Sequence, residues 1–200
     1  MPEEKGLKEI TSLRKKGIAG RDSLERESRL EKSRRIVHKI ILSEEYKNAN
    51  TIMIYKAIRG EVRLELLEEV AKRQGKTLAY PLCLGEGIMI ALHPENEEAW
   101  KKGSFGICEP VREKSLEISP EKMDLIICPC TVFDEDCNRI GMGGGYYDRY
   151  LPLCTNAHVI SVAFDAQKAD HIPLESWDYS MEKTYTESTI YVRKKRENIC

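Results

Sequence analysis

Hydrophobic and polar positions along this 200-residue chain divide it into alternating helical and strand-like segments. Residues 7–42 are charge-rich and predict two helices. Asp22 followed by Glu25 has the spacing of a capping box that would open the second one. Leu30, Val37, Ile40 and Ile41 recur at helical spacing and predict its buried stripe. Thr51–Tyr55 reads as a buried strand, and Val62–Gln74 as a helix with Leu66, Leu67, Val70 and Ala71 inward and Gly75 as its stop. Further strands are predicted at Lys76–Tyr80, closed by Pro81, and at Ile88–Leu92, Leu125–Cys128, His158–Phe164 and Thr189–Val192. A short helix is predicted over Glu97–Lys102, ending at Gly103. Strands alternating with helices predict an α/β fold: a mostly parallel sheet with helices on both faces. The first 45 residues would form an N-terminal helical arm on a single domain spanning 1–200.

Composition narrows the function classes. A hydrophobic fraction of 41% supports a core, and 32% charged residues supply a solvated surface. With a net charge of −1 there is no overall basic field for nucleic acid. The closing Arg193-Lys194-Lys195-Arg196 run reads as a solvated tail. No stretch has the length of a signal-peptide core or of a membrane span, about 18 apolar residues, so a cytoplasmic protein with no membrane partner is expected. The seven cysteines are scattered and expected to be free thiols. Cys128 and Cys130 are separated by one residue and no histidine lies at a partnering distance, so zinc is not expected.

The chemistry concentrates in DLIICPCTVFDEDCNRIGMGGGYYDRYLP, residues 124–152. A buried strand runs through an acidic turn into Gly141, Gly143, Gly144 and Gly145, then into a short helix over Tyr146–Leu151. Glycines beyond the carboxyl end of a strand allow backbone N–H groups to surround an anion, and a following helix start adds unpaired donors. A structural turn would use the same residues, so the glycines alone leave both readings open. The loop lacks the Lys-Ser/Thr of a Walker A motif and the third glycine of a dinucleotide fingerprint. Arg139 offers a planar fork for phosphate oxygens, and Asp148 could hold a metal that bridges them.

Pro129, Phe133 and Asp134, followed by Arg139, Ile140, Gly141, Gly143, Gly145, Tyr146, Tyr147 and Asp148, resemble the signature of the 5-formyltetrahydrofolate cyclo-ligase (methenyltetrahydrofolate synthetase) family. Leu13-Arg14, Arg29, Ser33, Tyr55, Glu61-Val62, Gly106-Ile107-Cys108-Glu109-Pro110, Gln167, Ile172-Pro173, Asp178 and Thr186-Glu187 extend the resemblance to about residues 8–190. It implies a ligase of folate one-carbon metabolism that uses ATP and Mg²⁺ to convert 5-formyltetrahydrofolate to 5,10-methenyltetrahydrofolate. It implies catalytic roles for Arg139, Tyr147 and Asp148, and nucleotide contacts for Arg14, Arg139, Ile140, Gly141, Met142, Gly143, Gly144, Gly145, Tyr146 and Tyr147. Tyr55, Lys56, Glu61 and Phe105 would bind the folate, and Asp148 and Asp178 the metal. Small-molecule partners and a monomer are expected, and a non-catalytic nucleotide- or folate-binding relative is the alternative. The chain departs from the family pattern at Ile10, where a lysine usually stands, with Lys8, Lys15 and Lys56 as candidate replacements.

Overall fold

The computed structural model describes residues 2–103 and 108–194. Helix α1 (Pro2–Asp22) is followed by α2 (Arg26–Ile41), α3 (Glu44–Asn48), strand β1 (Thr51–Met53) and α4 (Glu65–Arg73). Next come β2 (Thr77–Gly85), β3 (Ile88–Pro94), β4 (Trp100–Lys102), β5 (Cys108–Pro110), β6 (Ser115–Ile118) and β7 (Leu125–Pro129). A small hairpin of β8 (Val132–Phe133) and β9 (Arg139–Ile140) leads into α5 (Tyr146–Tyr150). β10 (His158–Val162), β11 (Lys183–Tyr185) and β12 (Ile190–Val192) are the last elements of the described residues.

Eight strands form the main sheet in the order β12-β11-β10-β7-β1-β2-β3-β6. The centre, from β11 to β2, is parallel, and β12, β3 and β6 add antiparallel edges. Alternation along the central strands explains why they read as unbroken apolar runs. Leu125 and Ile127 of β7 join Ile52, Leu78, Ile160 and Val162 under α2–α4, where Ile36, Val37, Ile40, Tyr46, Leu67 and Ala71 cover them. Ile126 and Cys128 point the other way, with Met53, Ala79 and Val159, against Tyr150 and Leu151 at the end of α5. Both faces are therefore buried, as parallel strands require.

Several local expectations are corrected. Asp22 is the last residue of α1, and Glu25 precedes α2 without a side-chain cap, so there is no capping box. The stripe of α2 is centred on Ser33, Ile36, Val37 and Ile40, with Leu30 and Ile41 only half-buried. In α4 only Leu67 and Ala71 are buried, and Leu66 is exposed. Pro81 does not end its strand. β2 pairs with β1 only over Thr77–Ala79, so beyond that point Pro81 has a neighbour on one side, where a missing N–H is tolerated. Residues 97–102 form a 3₁₀ turn, Glu97–Ala99, and then β4.

The arm α1 lies close against the strand ends. A Cβ at Gly17 would come within 2.3 Å of the Thr131 carbonyl oxygen, and one at Gly20 within 2.2 Å of the Ala166 carbonyl oxygen. Removing a helical glycine ordinarily stabilises by about 1 kcal/mol. Here the neighbour is backbone, so Gly17→Ala is expected to destabilise by about 1–3 kcal/mol. A urea midpoint at or above that of the wild type would contradict this packing.

Candidate active site

A cavity of about 710 Å³ opens at the carboxyl ends of β1 and β7, between α1, the second half of β2 and α5. This is where ligands sit in open α/β sheets. Arg14, Tyr55, Lys56, Glu61, Arg139, Ile140, the run Gly141–Gly145, Tyr146, Tyr147, Asp148 and Asp178 all line it. Phe105 lies outside the described residues; its neighbours Cys108, Glu109 and Pro110 form part of the wall.

The glycine loop is fixed from both ends. Thr131 N–H donates to the Ile140 carbonyl at 2.8 Å, closing the β8–β9 hairpin beneath it. From α1, Arg14 Nε donates to the Gly141 carbonyl at 2.9 Å, and its guanidinium lies beside Gly143. Gly143 and Gly145 adopt φ of 101° and 63°, the left-handed region in which glycine carries no Cβ penalty. The helix that follows is only five residues long. Its dipole is correspondingly small, and the positive field of this site comes mainly from arginine side chains.

Arg139 is buried on β9, and its Nη2 donates to Asp148 Oδ1 at 3.0 Å. The guanidinium stands 5.4 Å from the centre of the Tyr147 ring. Among the described residues, Arg139 Nε and Tyr147 Oη are buried without a hydrogen-bond partner. Burial holds the Tyr147 phenol well above its usual range. Asp148 Oδ1 also faces the Tyr179 N–H at 3.5 Å, while Oδ2 accepts no hydrogen bond from the described residues. Asp178 uses Oδ2 to accept the Glu175 N–H at 2.8 Å. Among the described residues no three His, Cys, Asp or Glu side chains cluster as a ready-made metal cage. Asp148 and Asp178 line the cavity with the glycine loop, and two carboxylates are a set that could hold Mg²⁺, an ion that keeps several water ligands.

On the opposite wall Glu61 is 9% exposed, and its Oε2 accepts the Ile58 N–H at 3.0 Å. Burial raises its pKa, opposed by that hydrogen bond and by the Arg21 and Arg59 guanidiniums. Tyr55 donates its hydroxyl to the Val62 carbonyl at 2.8 Å and is fixed as a wall. Lys56 pairs with Glu68 at 2.6 Å, over the rings of Tyr80 and Trp100. Glu68 is shared with Lys72 at 2.8 Å, so the two lysines together carry one more positive charge than this acid balances. Cys128 and Cys130 are buried and pushed up to about 12, so neither is a thiolate nucleophile. With Cys83, Cys108, Cys137 and Cys154 they are free thiols. Cys200 lies outside the described residues.

The sequence reading missed Arg149, Tyr80, Met89 and Trp177, which also line the cavity. Arg149 directly follows Asp148, the last residue of the signature, and this is the one signal that could have singled it out. Trp177, 69% exposed, directly precedes Asp178. Ile10 lines the cavity too, packed with Leu13 against Val132, Ile140 and Ile172, whereas Lys8 and Lys15 are exposed and do not line it.

Comparison with known proteins agrees with this geometry. The model of the 5-formyltetrahydrofolate cyclo-ligase family matches residues 7–187. The 5-formyltetrahydrofolate cyclo-ligase of Mus musculus is 31% identical over 180 residues, covering 84% of this chain and 88% of that protein. The enzyme of that name from Escherichia coli (strain K12) is 28% identical over 149 residues, 72% of this chain and 81% of that protein. Among solved structures, the 5,10-methenyltetrahydrofolate synthetase of Aquifex aeolicus superposes with a TM-score of 0.81 at 28% identity, covering 96% of each chain. The chain belongs to the 5-formyltetrahydrofolate cyclo-ligase family.

Proposed function

We propose that this member of the family converts 5-formyltetrahydrofolate and ATP to 5,10-methenyltetrahydrofolate, ADP and phosphate. The observation that carries the proposal is the convergence of both sets of candidate residues, nucleotide and folate, on one cavity. The formyl oxygen is a poor leaving group, and its phosphorylation by ATP makes a good one. Nitrogen 10 then attacks the activated carbon, the ring closes and phosphate leaves. Such chemistry asks a protein chiefly for alignment and charge neutralisation, and among the described residues the site has no serine or cysteine nucleophile arrangement.

Arg14, Arg139 and the Gly141–Gly145 backbone bind and orient the phosphates. Asp148 and Asp178 would hold Mg²⁺, which supplies further charge neutralisation there. Glu61 accepts paired N–H donors of the pterin ring, between walls of Tyr55 and Tyr80, with Phe105 contributing as the resemblance implies. The buried Arg139–Asp148 pair keeps the phosphate side ordered before ligands arrive. A single domain over 1–200 acting as a monomer goes with this proposal, the candidate groups among the described residues lining one cavity. Among the described residues no helix is long and apolar enough to cross a membrane, which supports the cytoplasmic assignment.

Purified protein with ATP, Mg²⁺ and 5-formyltetrahydrofolate should develop methenyl absorbance. ATP binding without product would point to the non-catalytic alternative. Ile10→Lys tests the departure from the family pattern. Ile10 packs on Ile140 and Ile172, and three arginines already line the cavity. The variant is therefore expected to leave the KM for ATP little changed and to lose some stability. A large gain in ATP-dependent rate would show that the cationic site is incomplete.

A further inference from the structure

The cavity holds a third guanidinium that the phosphate assignment does not use, and its placement is unusual. Arg149, the fourth residue of α5, donates from Nη1 to the Gly144 carbonyl at 3.1 Å. The same nitrogen lies over two glycines from different parts of the chain. A Cβ at Gly145 would come within 2.7 Å of it, and a Cβ at Gly87, in the β2–β3 turn, within 2.3 Å. Both glycines have left-handed φ, 63° at Gly145 and 78° at Gly87. The missing side chains therefore create a slot, and a guanidinium fills it. In the turn Glu86 is also left-handed, with φ of 51°, so the hairpin bends sharply to reach this contact.

We infer that Arg149 is a positioning residue that latches the glycine loop to the β2–β3 turn, holding the loop open as a preformed cradle for the ATP phosphates. The inference rests on the proposed ATP-dependent function. Arg149 acts through the loop: it takes up the Gly144 carbonyl, which fixes one peptide plane of the run while Arg14 fixes another at Gly141. Two guanidiniums, one from α1 and one from α5, thus hold the two ends of the run. A loop fixed in its binding conformation loses less freedom when ligand arrives, and the gain appears as affinity. Among the described residues Glu61 and Tyr55 hydrogen-bond to Ile58 and Val62, away from Arg149, and should not register its loss.

The test reads equilibrium binding of ATP with Mg²⁺ by calorimetry, together with KM and kcat for each substrate. Arg149→Met should weaken ATP binding roughly tenfold, the effect of losing one charged hydrogen bond. The KM for folate should stay at the wild-type value and the melting temperature should move little. Arg149→Lys, which keeps charge but not the planar fork, should recover only part of the loss. Gly87→Ala pushes the guanidinium out of its slot from a turn outside the phosphate loop, and should reproduce the ATP defect. The double variant Arg149→Met/Gly87→Ala should then bind ATP no worse than Arg149→Met alone, because both changes remove one latch. Wild-type ATP affinity in Arg149→Met, or fully additive losses in the double variant, would overturn the latch while leaving the proposed function standing. A wild-type protein that does not bind ATP would overturn both.

Discussion

Asp148→Asn is expected to lower kcat by about 10²–10³-fold while the melting temperature stays close to that of the wild type. The carboxylate has two duties that this substitution separates. Oδ1 accepts from Arg139 Nη2, and Oδ2 accepts no hydrogen bond from the described residues, beside the glycine loop. Asparagine retains an oxygen for the Arg139 bond but removes the negative charge a divalent cation requires. The loss should therefore persist across a Mg²⁺ titration. Asp148→Ala should show the same loss of turnover and, in addition, destabilise the protein by about 1–3 kcal/mol. The Arg139 side chain is only 3% exposed, and alanine would leave its Nη2 donor without the acceptor that asparagine still supplies. A fully active Asp148→Asn would remove the metal assignment. A fully stable Asp148→Ala would mean that the Arg139–Asp148 pair contributes nothing to the fold.

The arginine–carboxylate pair also shows what the sequence could and could not disclose. The string from Arg139 to Asp148 stood out because glycines, a guanidinium and a carboxylate concentrate there, and in the structure all of them line one cavity. The central strands were legible because burial on both faces makes them unbroken apolar runs. The two- and three-residue strands β4, β5, β8, β9 and β11 carry too little pattern to separate from loop. The error at Pro81 came from treating proline as a terminator, when the sheet leaves it a free side. Arg149 was missed because an arginine on a short helix reads as solvated surface. Its partner Gly87 is distant in sequence, and no periodicity connects them. Parts of the family resemblance turn out to build the scaffold. Gln167 Nε2 donates to the Cys130 and Thr131 carbonyls, tying the turn after β10 to the segment after β7. Buried Glu187 pairs with Lys32 of α2 and accepts the Asp165 N–H at 3.0 Å. Such residues look functional in a motif but act by fixing the strand ends around the cavity.

Asp134 is the strongest case of that kind, and Asp134→Ala is expected to destabilise the protein by about 4 kcal/mol or more. The residue is 2% exposed and does not line the cavity. Its Oδ1 accepts the Asp136 and Asn138 N–H groups at 3.1 and 3.0 Å. Its Oδ2 accepts Asn138 Nδ2 and the Ile172 N–H, both at 3.0 Å. Alanine would leave all four donors without their acceptor, three of them on backbone that cannot turn away to water. The network shapes the turn just before Arg139 and joins it to the segment that carries Ile172, which lines the cavity. Within that turn Cys137 is buried at a φ of 63°, a conformation that side chains rarely adopt and that the Asp134 bonds help impose. Asp134→Asn should cost less than alanine but remain clearly destabilising, because its amide N–H₂ would meet donors where an oxygen is needed. Urea denaturation reads both variants, with the midpoint falling and the slope unchanged. At a temperature where Asp134→Ala is still folded, its KM values should stay near those of the wild type, since the side chain touches no ligand. A stable Asp134→Ala that had lost activity would reverse the assignment and place this carboxylate in the chemistry.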